Sequence, residues 1–183
     1  MTQATPKAKT ADIAQPPICT HDDHTAPSIC YFVEGIDFAL PHPERTTTWI
    51  QEVISQEGHR LIHLNFIFCT DTDLHAKNLQ YLQHDTLTDV LTFDYATDHQ
   101  TVEGDIYISL DQVQENAASY HHTLWQELYT VMIHGVLHLV GYNDTTAASQ
   151  AQMREKEALY RAMVWPAIRQ AARQGNSATY QVP

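Results

Sequence analysis

The chain has 183 residues, a length that suits one domain with a substantial core and is short for two domains and a linker. Its residues are 43% hydrophobic and 17% charged, as in ordinary globular proteins, and no apolar run reaches the ~18 to 20 residues of a membrane span. The formal net charge of −12 opposes nonspecific binding to phosphate backbones, because such binding depends on Lys and Arg, and it leaves a specific nucleic-acid site open.

The two ends of the chain lack the periodicity of folded elements. Their composition predicts tails at 1–28 and 169–183, which flank a single domain at 29–168. The N-terminal tail has no apolar stretch after its positive charges, which indicates a cytoplasmic protein without a secretory signal. Cys19, Cys30 and Cys69 are odd in number and widely spaced, which argues against a disulfide framework and against a thiolate zinc site.

Strand and helix patterns follow one another between these ends. The segment SICYFVEG predicts a first strand, and a helix is predicted over 43–54. LIHLNFIF predicts a second strand, whose alternation places Leu61 and Leu64 on opposite faces. DTDLHAKNLQYL predicts a short helix with an aspartate N-cap, and TDVLTFDY and GDIYISL predict two further strands.

Helical spacing dominates the remainder of the chain. Two helices are predicted over 111–140, with a break at 120–123, and a last helix over 146–165. Because strands come mostly first and helices last, we expect an α/β (α+β) fold in which helices cover a small mixed sheet of about four strands, mainly on one side. Half of the ten basic residues lie at 154–173, where they form either a basic patch or a solvated helix face interleaved with glutamates.

A metal-binding pattern occurs in the segment HGVLHLVGYND, residues 134–144. His134 and His138 belong to an apolar helical stretch, and positions i and i+4 of a helix lie about 5–6 Å apart on one face. The pair His59 and His63 has the same spacing but runs into a strand, where four residues span about 13 Å, too far for one ion. The helical pair is therefore the one that can chelate.

The residues after this pair supply a third ligand. Gly141 is expected to end the helix in the left-handed conformation and to turn the chain back, so that Asp144 joins the two imidazoles. Three such ligands leave a fourth tetrahedral position open for water, which indicates a catalytic ion. The structural alternative is that both histidines are satisfied core residues and that the residues after them form only a helix cap.

Gly135 occupies the position at which many zinc hydrolases carry a glutamate base, so a peptidase is disfavoured. A glycine within a helix costs ~1 kcal/mol relative to alanine. We therefore expect another part of the protein, such as a strand of the sheet, to approach the helix backbone closely at this position.

The same residues resemble a known family. HGVLHLVGYND is similar to the H-G-x-L-H-L-x-G-Y-D-H signature of the YbeY endoribonucleases, and HDTLTDVLTFDY and GDIYIS resemble that family's other two characteristic segments. The resemblance implies a zincin-like hydrolase architecture that holds one zinc-type ion per chain. It also implies metal-dependent cleavage of single-stranded RNA in maturation of the 3′ end of small-subunit rRNA and in ribosome quality control, with ribosomal proteins as further partners.

Position by position, the resemblance assigns metal ligation to His134 and His138 and places the family's third histidine at Asp144. A carboxylate oxygen is an ordinary zinc ligand, although its charge also favours a harder divalent ion such as manganese. The family's phosphate-binding arginine falls on Leu82, which leaves His84 as the nearest cation for substrate binding. The alternative is that His84 has no role.

No glutamate adjoins the ligands, so the ion itself or a carboxylate of the strand motifs, Asp89 or Asp105, would deprotonate the attacking water. Alternatively, both aspartates are structural residues of the turns that precede strands. Two other functions stay open. One is a non-catalytic ribosome assembly factor with a structural metal, which Leu82 favours, and the other is a metal-dependent hydrolase of another substrate, which lacks the expected glutamate.

Overall fold

The computed structural model describes residues 18–19, 27–83 and 85–173, with the backbone alone for Leu82 and for 165–173. In this part of the chain, five strands form one mixed sheet in the spatial order β1-β2-β3-β5-β4. The strands are β1 (Ile18–Cys19), β2 (Ser28–Val33), β3 (Arg60–Cys69), β4 (Val90–Asp94) and β5 (Thr101–Ser109). The helices are α1 (Pro43–Gln56), α2 (Asp71–Leu82), α3 (Leu110–Ser119), α4 (Leu124–Leu139) and α5 (Ala147–Arg173).

The predicted mixed α/β architecture is confirmed. Strands β2, β3 and β5 are parallel, whereas the outer strands β1 and β4 are antiparallel to their neighbours. The sequence did not predict β1, which falls within the segment 1–28, and α5 continues to Arg173, beyond the predicted domain end at 168. The rest of both predicted tails lies outside the described residues, so the domain limits stay predictions. No helix among the described residues is both long and apolar enough to cross a bilayer.

The main core lies on the sheet face that α1, α3, α4 and α5 cover. Side chains from the sheet, including Leu64, Phe66, Ile106 and Ile108, are fully buried there. The predicted alternation of β3 is wrong at Leu61, which is buried in this same core. The reason is a shift in the β3–β5 register between Leu61 and His63, because an extra residue in one strand reverses the facing of the residues before it.

The opposite face of the sheet is covered mainly by α2. Its Leu74 packs against Cys69 and Leu91, and Phe93 and Tyr107 lie beside them. This second cluster is much smaller than the main core. The sheet is therefore covered unequally, as the sequence predicted, and the large cover of α-helices lies on one side.

The N-cap of α2 is Thr70 and not the predicted aspartate. The Thr70 hydroxyl accepts a hydrogen bond from the Asp73 amide at 3.1 Å. Asp71 is instead the first helical residue, and its carboxylate accepts hydrogen bonds from the Ser109 hydroxyl and, at 2.8 Å, from the Gln112 amide nitrogen. Asp71 thus links α2 to the start of α3, a long-range role that local sequence does not reveal.

One disulfide joins β1 to β2, contrary to the expectation from cysteine spacing. Cys19 lies directly opposite Cys30 in the antiparallel pair, with 4.2 Å between their Cα atoms. Facing positions of antiparallel strands are this close whatever their separation along the chain, so the spacing of the cysteines did not indicate the pairing. Cys69 is a buried free thiol.

Candidate metal centre

Helix α4 is defined at both ends by hydrogen bonds that its sequence encodes. The Thr123 hydroxyl accepts from the Gln126 amide at 3.2 Å, and the Gln126 side chain accepts from the Thr123 amide at 2.7 Å, a reciprocal capping box. At the other end Gly141 has a φ of 95°, and its amide donates to the His138 carbonyl at 3.0 Å. The Tyr142 amide donates to the Leu137 carbonyl at 2.9 Å, which completes a Schellman turn.

This turn brings the three predicted ligands together. One side-chain atom each of His134, His138 and Asp144 lies within 4.8 Å of the others. The Nε2 atoms of the two histidines are 2.9 Å apart, and Asp144 Oδ2 is 3.9 Å from His134 Nε2. The helical spacing thus places two imidazoles on one face, and the glycine turn returns the carboxylate to the same point.

The other nitrogen of each imidazole has a fixed partner. His138 Nδ1 lies 3.0 Å from the Tyr142 carbonyl oxygen, and His134 Nδ1 lies 2.6 Å from Glu157 Oε1. A carbonyl oxygen can only accept, so His138 Nδ1 carries the hydrogen, and a carboxylate partner fixes the same tautomer for neutral His134. Carboxylate and carbonyl partners of this kind orient metal-binding histidines and make them more basic.

These contacts test whether the residues fit a cation. With hydrogen on both Nδ1 atoms, the lone pairs of the Nε2 atoms of neutral His134 and His138 face each other across 2.9 Å. Two lone pairs this close repel one another unless a proton or a metal ion lies between them. Two nitrogens bound to one tetrahedral zinc at 2.0–2.1 Å would be about 3.3 Å apart, close to the spacing here. The arrangement therefore fits a divalent ion, which the Nε2 atoms of the two neutral histidines and the Asp144 carboxylate would hold.

The two histidines differ in their affinity for protons. Burial acts to lower the pKa of His134, but the hydrogen bond and charge of Glu157 outweigh it and raise that pKa above its ordinary value. Burial, together with the neighbouring His134, lowers the pKa of His138. The low pKa keeps His138 in the neutral form that binds metals.

Gly135 allows α4 to lie directly on the sheet, as its position predicted. A Cβ atom at this position would be 2.8 Å from Ile106 Cγ2 on β5 and 3.4 Å from Val90 Cγ2 on β4. No side chain larger than hydrogen fits without displacing the Ile106 side chain. This close packing places His134 near Asp89, which directly precedes β4 and lines the same cleft.

Glu57, directly after α1, links the turn that follows α4 to α5. Its carboxylate accepts hydrogen bonds from Tyr142 at 2.9 Å, from Lys156 at 2.7 Å and from the Tyr160 hydroxyl. Burial acts to raise the pKa of Glu57, but these three donors outweigh burial and hold the pKa below its ordinary value. The carbonyl that orients His138 belongs to Tyr142, so Glu57 supports the site through this residue.

The fold places the other predicted site residues, Asp89 and Asp105, in different surroundings. Asp89 lines the same cleft as His134, and its Oδ2 accepts a hydrogen bond from Asn116 at 3.0 Å. Asp105 lies on the opposite face of the sheet from the ligands, because its neighbour Ile106 is the residue that faces α4. His84 lies outside the described residues.

Asp105 is a structural residue in this fold. Its carboxylate accepts hydrogen bonds from Asn65 at 2.8 Å and from the Tyr95 hydroxyl at 3.0 Å. The pair His59 and His63 also has separate partners, the Glu57 carbonyl and the Ser28 hydroxyl respectively. Neither histidine belongs to a group of metal-binding side chains within the described ranges.

A cleft of about 470 Å³ opens beside His134, between α3, α4 and α5. Its lining includes the carboxylates Asp89 and Glu157 and the guanidinium groups of Arg154 and Arg161. The sequence identified the basic residues of α5 as either a patch or a solvated face. Two of them border the candidate metal centre.

The matching family model and two similar proteins carry the same description. Residues 37–164 match the family described as Endoribonuclease YbeY. A protein of that name from Amoebophilus asiaticus is 61% identical over 133 residues, which are 73% of this chain and 90% of that protein. The one from Cytophaga hutchinsonii is 39% identical over 130 residues, 71% of this chain and 91% of that protein.

A solved structure shares the architecture. The solution structure of a protein from Thermotoga maritima matches with a TM-score of 0.56 and 27% identity, and the match covers 84% of this chain and 99% of that one. The fold and the sequence comparisons therefore agree over most of the described residues.

Proposed function

The chain belongs to the YbeY family of endoribonucleases, and we propose that it is a metal-dependent endoribonuclease that cleaves single-stranded RNA in maturation of the 3′ end of small-subunit rRNA and in ribosome quality control. The observation that carries this proposal is the convergence of His134 Nε2, His138 Nε2 and the Asp144 carboxylate. Three protein ligands are the donor set of catalytic zinc sites, which keep one coordination position for water or substrate.

We propose zinc as the ion, with His134, His138 and Asp144 as its ligands. A divalent ion held there would neutralise charge on a phosphate and lower the pKa of water from its bulk value toward about 7. Two nitrogens and one oxygen suit zinc, whereas the added negative charge of Asp144 makes manganese the second candidate. Glu157 and the Tyr142 carbonyl hold the two imidazoles in the tautomer that binds a metal.

Asp89 is the proposed general base. It lines the cleft beside His134, and Asn116 occupies one of its two oxygens. Among the described residues, no hydrogen bond engages Asp89 Oδ1, which is therefore available to accept a proton from water. Asp105 is not proposed for this role, because it lies on the other face of the sheet with both oxygens engaged.

The proposed setting is the cytoplasm, where ribosomal RNA is processed, and ribosomal proteins are the proposed further partners. A formal net charge of −12 gives the chain no long-range attraction for RNA. Contact with a ribosomal protein would supply this attraction and deliver the RNA to the cleft. His84 stays a minor candidate for substrate binding.

The test is incubation of the purified full chain with end-labelled single-stranded RNA, with and without a chelator. Cleavage that stops with the chelator and returns on addition of zinc supports the proposal. Undiminished cleavage after complete metal removal would overturn it. RNA that is bound but never cleaved at any metal loading would support the assembly-factor alternative, which the names of the relatives do not favour.

A further inference from the structure

We propose that the cleft between α3, α4 and α5 holds the RNA strand next to the cleaved bond, with Arg154 and Arg161 binding its phosphates and Tyr120 stacking against an unpaired base. The inference rests on the proposed function, because it assigns substrate contacts to the same site. All three residues line the cleft that opens beside His134.

The two arginines lie on either side of Glu157 along α5. Glu157 of α5 bonds to His134, Arg154 precedes Glu157 by three residues, and Arg161 follows it by four. Residues at these spacings share one face of a helix, about one turn or 5.4 Å apart. The helix therefore presents one guanidinium group on each side of the carboxylate that orients the metal ligand.

The position of Arg161 is fixed by α4. Its Nη1 donates to the Thr130 hydroxyl at 3.1 Å, and Thr130 precedes His134 by one helical turn. A guanidinium group has five hydrogen-bond donors, and this contact engages one of them. Arg161 is thus held beside the metal centre with donors left for a phosphate, which arginine binds in a bidentate fashion.

Arg154 is more exposed. In the part of the chain that the structure describes, its side chain has no hydrogen bond or ion pair with protein groups. An unpaired arginine facing a cleft is free to bind an anionic ligand without breaking an existing contact. Its removal should therefore affect ligand binding more than folding.

The carboxylates of the cleft contact partners other than the two arginines. Glu127 is only 4% exposed and lies 2.7 Å from His122 Nδ1, and Glu157 is engaged by His134. Asp89 is the remaining carboxylate of the lining, and it is the proposed base. The two arginines are therefore the groups of the lining that can bind a phosphate directly, and a bound divalent ion would add positive charge beside them.

Tyr120 supplies a feature that suits single strands. It follows α3, its side chain is 62% exposed, and its ring centroid lies 6.0 Å from that of His122. Exposed aromatic rings beside a basic groove stack with unpaired bases, which are unavailable in a duplex. The ring thus favours single-stranded over double-stranded RNA in this cleft.

The charge contacts are tested by the salt dependence of binding. Fluorescence anisotropy with labelled oligouridylate, on the full chain before and after chelation, gives the affinity at several salt concentrations. For single strands, each lost phosphate contact lowers the slope of log affinity against log salt by about 0.7. We expect this loss for Arg154→Ala and for Arg161→Ala, and an unchanged slope for Arg60→Ala, which removes an exposed arginine outside the cleft lining.

Thr130→Val distinguishes a phosphate-binding role of Arg161 from a structural role, because it removes the hydrogen bond between the two residues and keeps the charge of Arg161. If Arg161 binds phosphate, this variant retains the wild-type slope. If Arg161 only stabilises the packing of α5, Thr130→Val and Arg161→Ala lower the melting temperature equally and leave the slope unchanged, and the proposal is overturned.

Stacking is tested at Tyr120. We expect Tyr120→Ala to weaken oligouridylate binding by about tenfold and Tyr120→Phe, which keeps the ring, to bind as wild type. Tyr81→Ala removes an exposed tyrosine on α2 and serves as the control. If the wild-type chain cleaves RNA and the Arg154, Arg161 and Tyr120 variants all bind oligouridylate as wild type does, the assignment of RNA to this cleft is refuted and the proposed function is not. If the wild-type chain neither binds nor cleaves RNA, both the cleft assignment and the proposed function are refuted.

Discussion

The two faces of the sheet both carry polar side chains, but the hydrogen-bond partners of these side chains differ. On the α2 side, the Asp105 carboxylate is engaged by Asn65 and Tyr95. On the α4 side, two imidazole nitrogens face each other at 2.9 Å with their other nitrogens already engaged. Polar groups that satisfy one another stabilise a fold, whereas two converging lone pairs need a metal ion or a shared proton between them. The arrangement of hydrogen-bond partners, and not the residue type, therefore distinguishes the face that carries the proposed metal site.

The largest expected effect comes from removing a proposed ligand on the face of the metal site. His138→Ala deletes one of the three proposed metal ligands, so the purified variant should hold far less than one transition metal per chain and should show no detectable RNA cleavage. His75→Ala removes a histidine of α2 that contacts Asp85, and it should leave both properties unchanged. Elemental analysis and a cleavage assay measure the two outcomes. A His138→Ala variant with full metal content would contradict the assignment.

The matched aspartates compare the two faces directly. Asp89→Asn should lower the cleavage rate by about 100-fold or more at unchanged metal content, since loss of a general base costs this much. Asp105→Asn should leave the rate within about twofold and change only stability, because Asp105 is held by hydrogen bonds on the other face. Equal losses of rate in both variants would remove the distinction between the faces.

Gly135 tests how closely α4 packs against the sheet on the side of the proposed metal site. Gly135→Ala should destabilise the protein by about 1–3 kcal/mol, because the new methyl group would overlap Ile106 Cγ2 in the filled core. Chemical denaturation measures the loss, and the cost should shrink when Ile106→Ala is combined with it. A variant as stable as wild type would show that the helix does not lie so close to the sheet.

The smallest expected effect concerns Glu57 and depends on pH. Its pKa in the folded protein lies below the ordinary value of 4.5, so its carboxylate stabilises the fold above that pH, and this stability is lost as the pH falls through the folded pKa. Glu57→Gln should therefore cost about 1–2 kcal/mol at neutral pH and little at acidic pH. Denaturation across the pH range tests this, and a cost that persists in acid would contradict it.

Local sequence was enough to predict which three side chains converge. The i, i+4 spacing of His134 and His138 and the turn at Gly141 depend on a single helix end, so periodicity and one glycine indicated their convergence with Asp144. The fold class followed in the same way from the order of strand and helix patterns. Elements with strong periodicity carried most of this information.

The rest of the site depends on contacts between distant segments. Glu157 meets His134 across 23 residues, and Glu57 meets Tyr142 across 85, so no local pattern identified either glutamate. Asp89 and Asp105 looked alike in sequence, because only the folded chain places Asp89 beside Asn116 of α3 and Asp105 beside Asn65 of β3. The irregular β3 and the Cys19–Cys30 bond were missed for the same reason.

The most direct test of the account is a crystal structure of the full chain grown with zinc, with anomalous data collected at the zinc edge. The account predicts one strong peak within bonding distance, about 2.0–2.2 Å, of His134 Nε2, His138 Nε2 and a carboxylate oxygen of Asp144. An empty position between these atoms, with Asp144 turned into solvent and the two imidazoles sharing a proton, would contradict it.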